Sequence, residues 1–449
     1  MDRPGDSPSW APLARLARQL LPAALGVALL PAPAAARTWD YVPSASVGGG
    51  YESNANSASQ SSQEESSYVA TAGAYLDITG ETSTSRVGFR PEVRGAVYSG
   101  LSAASRDDSY LNYFLPVTVA QSWQTAQASL SAGYSRISTR DSIIIGFDPN
   151  NPPRPGIDTA NRRTEYQERW YLSPSLRYQL TPRDLISLSL NYDDVTYTEA
   201  MFSFRTDYTA GAAELSWDHS LGQRSTVSLS ANISTFEATR PQSPVRNDTL
   251  TYGLTAGYQY ALTPAATVGL TAGSSRSEVD IKGLPWISTP AGLLPCLDAA
   301  HNVFVPCTIR STGDNFIGEV FYRQRPEKTV TTELRLSRAI QPSSDGSQVT
   351  VDQVAAYLTK EVTPLLSVRL AGQYWKQDAV TRQANALSDR FRRDYYSLEA
   401  SATRRLNRSW SVGGQYTFTN DQRDYDVVAS STPNHRLYFY IQYSGLGSH

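Results

Sequence analysis

The sequence predicts an all-β protein: a transmembrane, antiparallel outer-membrane β-barrel of about eighteen strands, with sixteen as the main rival count. Three observations predict it. The first is the stretch Leu176 to Tyr192. Leu176, Tyr178 and Leu180 alternate with Arg177 and Gln179, a Thr-Pro-Arg-Asp turn follows, and Ile186, Leu188, Leu190 and Tyr192 alternate with Ser187, Ser189 and Asn191. Side chains on a strand change face at every residue, so each arm of this hairpin has one apolar and one wet face. Pro182 opens the turn with its φ already fixed, and Asp184 caps it. The second observation is recurrence. Leu180-Thr181-Pro182 returns as Leu262-Thr263-Pro264 and Val362-Thr363-Pro364, with weaker turns at 79–81, 124–125, 221–223, 325–327 and 406–408. The third is that, after an N-terminal leader, no apolar run is long enough for a membrane helix. A closed barrel is then the available way to cross a bilayer.

The leader comes first in the chain. Arg15 and Arg18 precede the short apolar core Leu20 to Leu30, and Ala34-Ala35-Ala36 follows. This is the pattern of a secretory signal peptide over 1–36, cleaved before Arg37 and leaving 37–449 as the barrel. Eight turns join nine hairpins. The strands they imply are 43–53, 67–79, 84–98, 109–122, 126–138, 165–180, 185–198, 204–220, 225–238, 248–261, 266–281, 314–325, 329–340, 348–361, 365–378, 391–406, 409–420 and 435–444. Alternation is weakest in the first two and in 348–361. The opposite ends are joined by long polar loops at 54–66, 139–164, 282–313, 379–390 and 421–434. Short turns at one rim and long loops at the other place the turns in the periplasm.

Composition agrees with strands and turns. Tyrosine (27) far outnumbers methionine (2), and the net charge of −2 gives no bulk attraction to nucleic acid. Outward aromatics Tyr134, Trp170, Tyr178, Tyr192, Trp217, Tyr258, Trp410 and Tyr416 are expected in the interfacial girdles, against outer-membrane lipid and lipopolysaccharide. In the last strand, Leu437, Phe439, Ile441 and Tyr443 face one way. Such an aromatic C-terminal strand is similar to the signal read by the barrel-insertion machinery, although here Ser444 to His449 follow it.

Parity sends charge inward. On strand 84–98, Val87, Phe89, Val93 and Val97 face lipid while Arg90, Glu92 and Arg94 line the lumen. The same count turns Arg169, Arg177, Glu214, Asp218, Glu319, Arg323, Glu333, Arg335, Arg369, Glu399 and Arg436 inward. Any one of them need do no more than wet or brace a wide barrel; together they imply a polar lumen. Arginines slightly outnumber acids, so a modest anion preference is expected, with Arg90, Arg94 and Arg369 the main contributors. If the turn at 325–328 is centred on Glu327, Glu319 lies directly across from Arg335 and the two form a cross-strand salt bridge.

Cys296 and Cys307 fall in the longest loop. Two cysteines in an exported chain read as a disulfide, and a zinc site cannot be assembled from them with His301 alone between them. Such a bridge contributes roughly 3 kcal/mol by loop closure. Catalysis has little support: of His219, His301, His435 and His449, only His435 lies where a barrel hydrolase would need it, and its parity points outward. No cofactor motif is present.

The mature start, Trp39-Asp-Tyr-Val-Pro43 through Gly48-Gly-Gly-Tyr51-Glu-Ser-Asn54, resembles the opening of β-barrel porins of the BBP2 type. Relatives of that kind accompany exopolysaccharide and exosortase gene systems. The resemblance implies a polar conduit for polysaccharide export beside a periplasmic export protein. It supplies no catalytic residues. The other readings are a general or solute-selective diffusion porin, and a non-conducting surface barrel that binds a partner through its loops.

Overall fold

The computed structural model describes residues 38–55, 64–99, 109–138, 165–198, 206–239, 245–284, 287–289, 292–294, 296–298, 303–305, 307–325, 329–342, 348–379, 392–425 and 428–445. The expected signal peptide lies outside these residues. The wall is one antiparallel sheet of nineteen segments, two of which are halves of a single interrupted strand, so it has eighteen staves. In chain order they are β1 (Thr38–Glu52), β2 (Ser67–Glu81), β3 (Ser85–Phe89 and Glu92–Ser99), β4 (Tyr110–Ser122), β5 (Ala126–Ser138) and β6 (Tyr166–Thr181). Then come β7 (Asp184–Thr198), β8 (Asp207–Ser220), β9 (Ser225–Thr239), β10 (Arg246–Thr263), β11 (Ala266–Leu284) and β12 (Cys307–Gln324). The last are β13 (Val330–Pro342), β14 (Gln348–Thr363), β15 (Leu366–Ala379), β16 (Arg392–Arg405), β17 (Trp410–Tyr425) and β18 (Val428–Ser444). Each stave pairs with its neighbours in sequence, and β18 returns to β1 from Ser44↔Ser444 to Glu52↔Arg436. The sheet is closed.

The strands follow the expected alternation, with several longer ends. At the short-turn rim the first begins at Thr38 instead of residue 43, opposite Glu81; the other extensions are at the long-loop rim. β12 begins at Cys307 instead of 314, and the loop expected at 421–434 is largely strand in β17 and β18. Within the loop expected at 282–313, two small ribbons form, Ile287–Thr289 with Gly292–Leu294 and Cys296–Asp298 with Val303–Val305. Polar composition misled here, because the ends of these staves project beyond the bilayer and no longer need an apolar face. β10, β11 and β12 run 18, 19 and 18 residues, well past the 9–11 or so that span a membrane. Their outward faces there carry ion pairs, Arg246 to Asp248 at 2.6 Å, Lys282 to Asp248 at 2.9 Å and Arg310 to Asp280 at 2.7 Å. Charges on that face lie above the hydrocarbon.

Below them the outer face is apolar. Val47, Leu111, Leu188, Leu215, Ile233, Leu254, Leu270, Leu336, Leu370, Leu398 and Phe439 are exposed around the wall. Trp170, Tyr178, Trp217, Tyr258, Trp410 and Tyr416 are exposed on the same face. A soluble protein would cover such a continuous belt; here lipid covers it. The protein is an outer-membrane β-barrel.

Two local features bear on the interior. β3 is interrupted at Arg90-Pro91 because Pro91 has no N–H to give, yet the register continues from Ile78↔Phe89 to Tyr75↔Glu92. Leu76 N–H still donates to the Pro91 carbonyl at 3.1 Å. At the closing seam, Tyr438 and Tyr440 turn inward over glycines. A Cβ on Gly48 would collide with the Tyr438 ring, and one on Gly413 with the Tyr440 ring. The glycine run at 48–50 therefore makes room for the aromatic rungs of β18.

The wall is not regular throughout. β12 and β13 pair only over seven positions, from Gly318↔Arg338 to Gln324↔Thr332, whereas β13 and β14 remain paired up to Pro342↔Gln348. Above Gly318, among the described residues, the β13–β14 hairpin has left its β12 neighbour. It leans across the mouth: Thr251 Oγ1, on the inner face of β10, donates to Gln348 Oε1 at 3.0 Å. Four staves apart along a straight wall would separate those strands by about 19 Å.

Gly48→Leu should destabilise the seam by about 1–3 kcal/mol through overpacking, read as a lower midpoint for heat-modified gel mobility. Gly222→Leu, where a Cβ meets nothing within 4 Å, should leave that midpoint unchanged.

Candidate functional site

The candidate site is the inner wall. Alternation on each stave places Arg90, Glu92, Arg94, Arg169, Arg177, Glu214, Asp218, Glu319, Arg323, Glu333, Arg335, Arg369, Glu399 and Arg436 opposite the exposed apolar face, towards the lumen. The structure gathers many of them into pairs.

The densest group is on β12, β13 and β14. Here the expected geometry needs correction. Glu319 is opposite Ser337 and Arg335 is opposite Phe321, because the turn is centred one residue later than Glu327. A turn shifted by one residue moves the partner by two, which preserves the face but changes the rung. Arg335 still reaches Glu319 diagonally, at 3.8 Å. The direct cross-strand pair is Arg323 with Glu333, bonded at 3.0 Å and 3.4 Å. Glu333 also accepts from Arg335 Nη2 at 3.1 Å and from the Tyr357 hydroxyl. Its side chain is only 4% exposed, so one shielded carboxylate holds two guanidinium groups and a phenol.

Around the wall the same logic repeats. Glu92 is bonded to Arg94 and lies 4.0 Å from Arg90, whose guanidinium sits 4.0 Å over the Tyr75 ring. Arg169 pairs with Asp193, and Arg436 donates to Glu52 at 2.7 Å. A further pair, not anticipated from sequence, is Arg393 with Asp421. It is bidentate at 2.7 Å and 2.8 Å with both side chains 5% exposed. Among the described residues, Arg177 and Arg369 form no salt bridge. The expected excess of inward arginine is thus largely neutralised within the wall.

Apolar side chains also line the interior near the extracellular end, where a search for charge overlooks them. Val195, Tyr197, Tyr208, Phe236 and Ala238 form one buried cluster on β7, β8 and β9; Val349, Val351, Trp375 and Tyr395 form another on β14, β15 and β16. Their signal in the sequence is a break of polar parity in the outermost turns of these strands. The outward parity of His435 is matched by its contact with the outward Tyr416, whose hydroxyl lies 2.8 Å from His435 Nδ1. Cys307, at the start of β12, is buried and disulfide-bonded. Cys296 is the other cysteine of the sequence.

The sequence matches no family model and no curated relative. Among solved structures it is similar to the ferric-catecholate import receptor Fiu of E. coli K12 in its open form, with 9% identity, a TM-score of 0.45 and coverage of 91% of this chain and 82% of that one. It is also similar to Pseudomonas aeruginosa OpdK with vanillate, at 8% identity and a TM-score of 0.40 over 91% and 99% of the two chains. A third is P. aeruginosa OccK2, at 12% identity and a TM-score of 0.41 over 90% and 98%. What these proteins share with the chain is the barrel.

Glu333→Gln should leave Arg323 and Arg335 without their carboxylate and lower stability by about 1–3 kcal/mol, seen as a reduced unfolding midpoint in urea. Non-reducing peptide mass mapping of the exported protein should recover Cys307 joined to Cys296; free thiols at both positions would refute that pairing.

Proposed function

We propose that this outer-membrane barrel is a solute-selective diffusion channel for small polar molecules. The observation that carries the reading is the inner wall: a closed ring of staves with apolar side chains outside and hydroxyl, amide and paired ionic groups inside. Such a lining replaces part of the hydration of a polar solute, which an apolar bore cannot do.

Two features favour small solutes over a through-running polysaccharide. The β13–β14 hairpin leans into the mouth to meet Thr251, which narrows the extracellular half. Most inward arginines already have carboxylate partners, so the wall offers no long cationic track to an acidic polymer. Arg369 is the exception of most interest. It is half-buried on the inner face of β15 and, among the described residues, has no carboxylate partner, which leaves its charge available to anions in the lumen.

Purified protein in planar bilayers should conduct, with weak ion selectivity. Arg369→Glu should shift the reversal potential towards cations more than Arg94→Glu does, since Arg94 already has Glu92 beside it. No current from correctly folded wild-type protein would refute the channel and leave the surface-barrel reading in its place. Unhindered passage of a long polysaccharide would instead restore the export reading.

A further inference from the structure

Near the short-turn rim, the apolar outer face is indented by a groove of about 730 Å³ over β15 to β18. Small side chains make it. Ala402 on β16 stands directly opposite Gly414 on β17, and Gly414 in turn lies opposite Phe439 on β18. Leu366 and Phe439 rise on either side of this floor. Arg404 closes the end nearest the rim, opposite Leu366 and Val412. These positions share the parity of Leu370, Leu398 and Phe439, which are exposed on the outer face. The groove therefore opens to the bilayer, with both room and access.

Two cations stand at it. Arg404 is exposed beside the β16–β17 turn. Lys360, on β14, is exposed with the outward parity of Val354 and Leu358. It lies opposite Val368, one outward position further from the rim than the Leu366 that faces Arg404. Two strand spacings and two residues of rise set their Cα atoms about 12 Å apart, close enough for both long side chains to meet one headgroup. Among the described residues neither has a carboxylate partner. The other charged side chains on outward strand positions at this rim, again among the described residues, are Asp184 and His219. They engage each other at 2.7 Å.

A phospholipid supplies both things these residues lack: apolar chains for the groove and a phosphodiester for the cations. The short turns place this rim on the periplasmic side, where the leaflet is phospholipid and not lipopolysaccharide. A headgroup that carries its own ammonium answers part of its phosphate charge internally. One without it leaves the whole charge to Lys360 and Arg404. A second copy of the chain fits less well, because the outward carboxylate described at this rim is already held by His219. We propose that the groove is a binding site for an anionic phospholipid of the periplasmic leaflet, with an acyl chain on Ala402 and Gly414 and the phosphate held by Arg404 and Lys360. The site lies outside the lumen and is independent of whether the barrel conducts.

Native mass spectrometry of the delipidated barrel in detergent reads the binding directly. The probes are phosphatidylglycerol, phosphatidylethanolamine with the same chains, and glycerophosphoglycerol, which is the headgroup alone. Phosphatidylglycerol should bind the wild type about fivefold tighter than phosphatidylethanolamine, and the free headgroup should not bind measurably. Arg404→Gln and Lys360→Gln should each weaken phosphatidylglycerol binding about fivefold. Ala402→Trp, which fills the floor, should weaken binding of both lipids. Ala231→Trp, at an exposed outward position between Leu229 and Ile233 on β9, should weaken neither. Heat-modified gel mobility identifies any variant that has failed to fold, and Ala402→Leu then replaces Ala402→Trp with a smaller loss. Equal binding in the wild type and the three groove variants refutes the site, as does equal affinity for the two lipids. Free headgroup binding as tightly as the lipid would mark an anion site without a groove and also refutes it. A wild type that dimerises, retains no lipid and becomes monomeric with Ala402→Trp gives the groove to a second copy instead.

Discussion

The structure depends on one constraint: within hydrocarbon, each backbone N–H and C=O must find a partner inside the protein. A sheet meets it only by closing, so the bonds between β18 and β1 govern the rest. Those two strands are far apart in sequence, and their fit relies on glycines of β1 and β17 receiving tyrosines of β18. The constraint also explains how prolines are tolerated. Pro91 interrupts β3, yet its carbonyl still accepts from Leu76 and the register on both sides is unchanged.

Closure in turn produces the interior. Once odd and even residues are committed to opposite faces, polar positions have nowhere to go but inward, and charges must settle with each other. Glu333 shows how far this goes, with Arg323, Arg335 and Tyr357 converging on one carboxylate. Pairs of this kind stiffen the wall and keep the lumen wet while removing most of the net field that a list of inward arginines suggests. On the proposed channel reading, selectivity then rests on the inward arginines that have no salt bridge among the described residues, Arg177 and Arg369.

The same constraint relaxes above the bilayer, where water can satisfy a strand edge. It is there that β13 parts from β12 and the β13–β14 hairpin bends towards β10. Within hydrocarbon such a departure would leave a row of unpaired groups facing lipid. Beyond it, the lost pairing is inexpensive and the mouth can be shaped independently of the wall. The extended ends of β10 to β12, tied by Arg246, Asp248, Lys282, Asp280 and Arg310, form the opposing side of that mouth.

By itself the sequence determined the class of fold, the number of staves and the face on which each side chain lies. These are local properties: a period of two residues and a turn every second strand are written in adjacent positions, as Leu176 to Tyr192 shows. It also marked most of the inner charges. What the tertiary structure alone decided was which of them meet. The rung joining Arg323 to Glu333 hung on a turn centre misplaced by one residue, and Arg393, on an expected strand, met Asp421, which the polar composition of 421–434 had placed in a loop. The lean of the hairpin lay further out of reach. It arises where distant staves approach across the lumen, and the alternation along any one strand contains no record of what stands opposite it.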